Sequence, residues 1–256
     1  MVSRTYGGSF PDEGLSSICG NDRTGWMVTT FPRGIYPIID MSRLGDEEIP
    51  PFAAALVAGG AKIVQLRNKG PDSARFLAMA RRLRPLTRRH GVRLVINDRV
   101  DIAVLSEADG VHLGQRDLPI EAARRILGRE RLVGLSTHDE GEAREAERKG
   151  ADYIGFGPIY PTRTKTDTAP VQGCERLSRI VSLVSIPVVA IGGILPERVP
   201  EVLRAGAHAA AMISGLLTEG DVVGHFRRMT EAALRNRSSS ETRRCKASPP
   251  CGKPLP

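Results

Sequence analysis

Aromatic residues make up only 4% of these 256 residues, and no unbroken apolar run approaches the roughly 18 residues that mark a membrane span. No basic stretch running into an apolar one opens the chain, so the sequence reads as that of a soluble, cytoplasmic protein. Cysteine is scarce too. Cys19, Cys174, Cys245 and Cys251 lack the two-residue spacing of a zinc knuckle and form no disulfide framework, and in a reducing compartment they stay free. The net charge is +8, yet recognition of nucleic acid by the folded core needs arginines and lysines interleaved with stacking rings on one face, and the rings are missing.

The charge sits largely at one end. Arg235, Arg237, Arg243, Arg244, Lys246 and Lys253 face only Glu241 across residues 235–256, whereas in residues 1–33 three arginines balance three acids. Both ends are rich in Ser, Gly or Pro and poor in apolar periodicity. They are expected to be a loosely ordered extension over 1–33 and a disordered basic tail over 235–256, flanking a folded body over 34–234.

Within that body, short apolar or β-branched runs recur eight times: 35–39, 62–66, 93–97, 110–113, 132–136, 153–157, 187–191 and 208–214. Helix-like stretches separate them. In 74–84, Phe76, Leu77, Ala80 and Leu83 share a face with arginines opposite, and 139–150 opens on acids and closes on Lys149 and Gly150. The strands are continuously apolar rather than alternating, as strands covered on both faces are. Eight βα units of this kind predict a single α/β domain, a (β/α)8 TIM barrel. A doubly wound open sheet would want a glycine fingerprint after its first strand, and "IIDMSRLGDEE" has none.

Barrel enzymes draw their chemistry from the C-terminal ends of the strands. Here those ends supply Gln65, Arg67 and Lys69; Asn97 and Asp98; His112, Gln115 and Asp117; Ser136 and His138; Thr162, Thr164 and Lys165; Gly192 and Gly193; and Ser214 with Gly215. "IGGI" and "ISGL", after the seventh and eighth strands, offer small residues and backbone N–H groups where barrels commonly hold a phosphate. Asp98 and Asp117 end neighbouring strands, and two carboxylates without His or Cys suit Mg²⁺. Asp98 also fits the N-cap of a helix beginning near Arg99. Arg67, Lys69 and Lys165 are three cations whose crowding calls for an anion, such as a leaving diphosphate. His112 reads as a core histidine holding Gln115 or a backbone group, and His138 as the cap of the helix beginning near Asp139.

"VQLRNKG", "INDRVDIAVLSEADGVHLGQRDLP", "VGLSTHDEGEAREAERKGADYIGFGPIYPTRTKTDTAP" and "IPVVAIGGI" resemble, in order and spacing, the thiamine phosphate synthase family over about 34–230. The resemblance implies a Mg²⁺-dependent barrel enzyme that joins hydroxymethylpyrimidine diphosphate to a thiazole phosphate and releases pyrophosphate, the diphosphate departing before the thiazole nitrogen attacks. It implies a pyrimidine diphosphate site of Gln65, Leu66, Arg67, Asn68, Lys69, Asn97, Ser136 and Lys165, in which Lys165, Arg67 and Ser136 carry the catalysis. It also implies a thiazole phosphate site of Thr162, Arg163, Thr164, Gly193, Ile213 and Ser214, with one Mg²⁺ on Asp98 and Asp117. The chain departs from the family at Asn68, where an acid is usual, and in the small-residue run "AAAMISGL" of the last strand.

Two other readings remain at this stage. A thiazole tautomerase would share the barrel and the thiazole phosphate site but has no use for Arg67, Asn97, Asp98, Asp117 and Lys165 as a set. A non-catalytic thiamine-precursor binding or regulatory protein would depend on its basic tail. The implied partners are small-molecule substrates, with no membrane and no nucleic acid at the core, and a homo-oligomer is compatible with the sequence.

Overall fold

A computed structural model describes residues 31–162, 170–217 and 220–245. Eight parallel strands close in sequence order into a barrel: β1 (Gly34–Asp40), β2 (Ile63–Arg67), β3 (Arg93–Asn97), β4 (Gly110–Leu113), β5 (Leu132–Thr137), β6 (Tyr153–Phe156), β7 (Val188–Ala190) and β8 (Ala209–Met212). The seam pairs β1 with β8, Tyr36 opposite Ala211. Each strand feeds a helix: α1 (Ile49–Ala58), α2 (Ser73–Arg89), α3 (Val100–Leu105), α4 (Ile120–Leu127), α5 (Glu140–Arg148), α6 (Gly173–Leu183), α7 (Val199–Arg204) and α8 (Val222–Cys245). Among the described residues, no helix is long and apolar enough to cross a membrane.

The eight expected strands are all present because each buries both faces. Residues such as Leu66, Leu94, Ile96, Val111 and Ile154 point outward into one core shared with the helices. Their neighbours Tyr36, Ile63, Val95, Leu132, Tyr153 and Val189 point inward into a second. The inner core is fitted by pairing large residues with glycine. A Cβ on Gly134 would overlap the Tyr153 ring, and one on Gly110 would lie 2.6 Å from Leu132 Cβ.

At the N-terminal face, one device occurs twice. Asp109 Oδ2 accepts from Leu94 N at 2.7 Å and from Arg84 of α2 at 2.8 Å, while Asp152 Oδ2 accepts from Val133 N at 2.7 Å and from Arg124 of α4 at 2.6 Å. Each aspartate thus ties a strand start to the helix beside it.

Three element boundaries differ from the sequence reading. Helix α2 passes Pro85, where the periodicity ended at 84, because Thr87 is buried and its carbonyl accepts from Val92 N at 2.8 Å, which holds the last turn. The barrel core starts before residue 34. Phe31 is buried, its ring centroid 4.4 Å from that of Tyr153, so it closes the barrel floor. Helix α8 continues to Cys245, past the 234 expected for the body, since no Gly or Pro interrupts the chain between Gly224 and Pro249. Residues 1–30 and 246–256 lie outside the described residues.

Gly134→Ala should cost about 1–3 kcal/mol, the usual range for overpacking a filled core, because the added methyl group meets the Tyr153 ring. Urea denaturation reads this, and an unchanged midpoint would mean that the ring has room to move.

Candidate active site

Period-two alternation decides what reaches the pocket. On β1 it turns Tyr36, Ile38 and Asp40 inward, and on β2 Ile63, Gln65 and Arg67. Above the inner core these strand ends open into a cleft of about 1040 Å³, its mouth included, walled by Ile38, Gln65, Arg67, Asn97, His112, His138, Thr162, Ile191, Gly193, Ile213 and Ser214 among others. Seven of the residues expected to bind substrate meet here: Gln65, Arg67, Asn97, Thr162, Gly193, Ile213 and Ser214. Ser136 lies beside them, its Oγ 2.9 Å from His112 Nε2.

Arg67 is 8% exposed and ion-paired with Asp40, itself 3% exposed. Asp40 Oδ1 also accepts from Ser42 N at 3.0 Å and Ser42 Oγ at 2.7 Å. The guanidinium is therefore held in place before any ligand arrives. Sequence reasoning missed Asp40, although the alternation Tyr36, Ile38, Asp40 along the first strand was the signal for it.

Asp98 and Asp117 do converge. Burial, followed by a hydrogen bond with the Asp98 carboxyl, pushes the Asp117 carboxyl above the usual range. Lys69 Nζ lies 2.5 Å from Asp98 Oδ2, and Asp117 Oδ2 accepts from Gly114 N at 2.6 Å. The alternative role for Asp98 fails: α3 begins after Arg99 with no side-chain cap. Asp98 instead adopts φ +63°, a left-handed conformation unusual for a residue other than glycine. Among the described residues no third His, Cys, Asp or Glu joins the pair. Two hard carboxylate donors close enough to share a hydrogen bond, Asp117 with its proton affinity raised, fit a cation such as Mg²⁺, which keeps several waters and completes its sphere with substrate phosphate.

The charge argument changes in one respect. The two described cations of the expected trio each have a carboxylate partner, Asp40 for Arg67 and Asp98 for Lys69. Among the described residues, neither cation of that trio is left without counter-charge. The unmet group is neutral: Asn97 is 7% exposed and its Nδ2 has no hydrogen-bond partner, although it lies in the pocket wall. A buried donor left so costs about 1–3 kcal/mol, which a bound ligand would offset.

Gly192 and Gly193 turn with φ +89° and +65°. A Cβ on Gly193 would strike the carbonyl oxygens of Pro161 and, at 2.7 Å, Tyr160. The glycine is thus required by the neighbouring β6–α6 loop as well as by any phosphate, and a side chain there displaces that loop. After β8, a short 3-10 helix at Ser214–Leu216 presents its first residues to the same edge of the pocket, the place where barrels commonly hold a phosphate.

Several expected residues lie elsewhere. Leu66 is fully buried among outward-facing core residues, because alternation sends it away from Gln65 and Arg67. Asn68 shapes the turn after β2, its Oδ1 accepting from Gly70 N at 2.9 Å. His112 is a core histidine as expected, but it bonds Tyr153 and Ser136 rather than Gln115, whose Nε2 donates to the Ser136 carbonyl at 2.7 Å. His138 does not cap α5. Asp139 does, accepting from Glu142 N at 2.8 Å, while His138 Nδ1 is held 2.9 Å from Glu142 Oε2 and the ring lines the pocket. Arg163, Thr164 and Lys165 lie outside the described residues.

A closed barrel with polar groups gathered at the C-terminal ends of its strands, and a glycine turn beside a short helix after β7 and β8, has the form of a TIM-barrel enzyme acting on phosphorylated small molecules. A family model described as thiamine monophosphate synthase matches residues 35–216, and the chain belongs to that family. The thiamine-phosphate synthase of Syntrophomonas wolfei subsp. wolfei is 42% identical over 202 residues, which span 79% of this chain and 97% of that one. That of Myxococcus xanthus is 45% identical over 202 residues, spanning 79% and 93%. Among solved structures, a thiamine phosphate pyrophosphorylase from Pyrococcus furiosus matches with a TM-score of 0.71 and 36% identity, over 79% of this chain and 96% of that one.

Asp40→Ala would leave the Arg67 guanidinium buried without its partner, and breaking such a pair costs about 3–5 kcal/mol. Denaturant unfolding should show a loss of that size. A loss under about 1 kcal/mol would mean that Arg67 escapes to solvent and is not fixed by Asp40.

Proposed function

We infer that the protein is a thiamine phosphate synthase, condensing 4-amino-2-methyl-5-hydroxymethylpyrimidine diphosphate with 4-methyl-5-(2-phosphoethyl)thiazole, or its carboxylated form, to thiamine phosphate and pyrophosphate. One observation carries the reading: a single pocket has a buried, pre-positioned Arg67 and an unpartnered Asn97 amide in its wall together with the Gly193 and Ser214 edge. Two phosphorylated substrates need two such places within bonding reach of each other.

In this reading Gln65 and Asn97 orient the aminopyrimidine, while Arg67, Lys69, Ser136 and Lys165 hold its diphosphate. Thr162, Arg163, Thr164, Gly193, Ile213 and Ser214 hold the thiazole phosphate. The bond between the pyrimidine methylene carbon and the diphosphate oxygen breaks first, its electron pair leaving with the diphosphate. The thiazole nitrogen lone pair then forms the new C–N bond, and its ring takes up the positive charge. Cationic and hydroxyl donors stabilise the oxygen on which charge grows. The walls Ile38, Val189, Ile191 and Ala211 are apolar and keep water from the carbocation before the thiazole reaches it. Mg²⁺ on Asp98 and Asp117 would add positive charge to the departing diphosphate. The same reading assigns the enzyme to the cytoplasm, where a free thiol such as Cys174 persists.

A tautomerase would not use the Arg67 and Asn97 side of the pocket, and a tail-dependent regulator would not need the pocket at all. Purified protein given both substrates and Mg²⁺ should form thiamine phosphate, and failure to do so under varied Mg²⁺ would overturn the reading. Lys165→Ala should lower turnover by about 10²–10³ with a smaller change in substrate binding, as loss of a donor to a developing oxyanion does.

Asp98→Asn and Asp117→Asn should each raise the Mg²⁺ concentration needed for half-maximal rate while the barrel stays folded, and excess Mg²⁺ should partly restore both. An unchanged Mg²⁺ dependence in either variant would remove that residue from the metal site.

A further inference from the structure

Five side chains cross the barrel beneath the pocket in one unbroken line. Gln65 Nε2 donates to the Tyr36 hydroxyl at 3.1 Å, and the Tyr36 and Tyr153 hydroxyls lie 3.0 Å apart. Tyr153 Oη is 3.0 Å from His112 Nδ1, and His112 Nε2 is 2.9 Å from Ser136 Oγ. None of the five residues is more than 7% exposed. The two ends belong to β2 and β5, so the line joins opposite parts of the rim.

The chemistry of the donors gives this line a direction. An amide nitrogen carries hydrogens and no lone pair to offer, so the Tyr36 oxygen accepts from Gln65. Tyr36 has one proton of its own, and the acceptor in line for it is the Tyr153 oxygen. Reversing that link would strand a donor in a fully buried setting. Tyr153 in turn gives its proton to His112 Nδ1. A neutral imidazole that accepts at Nδ1 carries its hydrogen on Nε2, which donates to Ser136 Oγ. The Ser136 proton is then left for the pocket. At the other end, Gln65 has turned its NH₂ toward Tyr36 and so presents Oε1. Both phenols keep their protons at any working pH, since burial pushes Tyr36 up to about 12 and Tyr153 well above the ordinary value.

We propose that Tyr36 and Tyr153 are positioning residues that fix the direction of this chain, so that one bound molecule meets a carbonyl acceptor at Gln65 and a hydroxyl donor at Ser136. The ligand chemistry this selects is an amino-bearing heterocycle at one end and diphosphate oxygens at the other. The assignment of that molecule rests on the functional reading above, but the direction of the chain does not.

Ring-¹⁵N-labelled full-length protein, with the His112 signals assigned by their loss in His112→Gln, reports the tautomer directly. The hydrogen is expected on Nε2, and a hydrogen on Nδ1 overturns the proposal whether or not the enzyme turns over. Kinetics with both substrates supply the second arm. Tyr153→Phe keeps the ring and removes the proton given to Nδ1, so kcat should fall by up to about tenfold, the worth of one hydrogen bond, with KM for the thiazole phosphate unchanged. In a Ser136→Ala background the same change should cost nothing further. Additive losses would mean that Tyr153 acts by packing alone and would overturn the proposal. Tyr36→Phe releases the Gln65 amide, and should raise KM for the pyrimidine diphosphate more than it lowers kcat. If the wild-type protein formed no thiamine phosphate, the functional reading would fall while the tautomer still tested the chain.

Discussion

Closing eight short parallel strands on themselves leaves an interior only one side chain deep at each level, and much else in this molecule follows from filling it. A large residue can enter only where its neighbour gives up its own side chain. Tyr153 occupies the space above Gly134, Leu132 the space beside Gly110, and the His112 ring lies where a Cβ on Gly155 would come within 3.1 Å. These glycines belong to the core because of what they leave room for. Two of them make space for a phenol and an imidazole rather than for aliphatic groups, so the interior carries hydrogen bonds up to the pocket floor.

The two ends of the barrel spend polar groups differently. At the N-terminal face, Asp109 and Asp152 are matched by arginines and by backbone N–H groups of the strands they secure. At the C-terminal face, Asp40 secures Arg67, but Asn97 keeps an unmet donor and Asp117 carries a raised proton affinity beside Asp98. Polar satisfaction stabilises a fold, and its local failure marks a surface prepared for something else. Arg84 Nε is also without a hydrogen-bond partner at the opposite face, but Asn97 Nδ2 and the Asp98–Asp117 pair lie on the rim where barrel enzymes do their chemistry.

Much of this was legible in the chain. Apolar runs spaced by amphipathic helices fixed eight βα units, since strands buried on both faces read as continuous apolar segments. Abrupt polar residues at the run ends marked Gln65, Arg67, Asn97 and Ser136, because only a strand reaching a functional rim ends that way so often. The convergence of Asp98 and Asp117 followed from adjacent strands alone.

Other features depended on contacts between residues far apart in sequence. Phe31 belongs to the core because Tyr153 passes above it. Asp40 matters because Arg67, on the next strand, is buried against it. Gly193 must be glycine because the carbonyls of Tyr160 and Pro161 press on it, and His138 faces the pocket because Glu142 holds its other nitrogen. By itself, the order of residues determined the periodicity, and with it the barrel and the positions of its rim, since side-chain alternation is a local property of extended backbone. The tertiary structure alone decided which of those groups are paired, which are left unmet and which way the protons between them point, since each of these is set by a partner brought near only when the barrel closes.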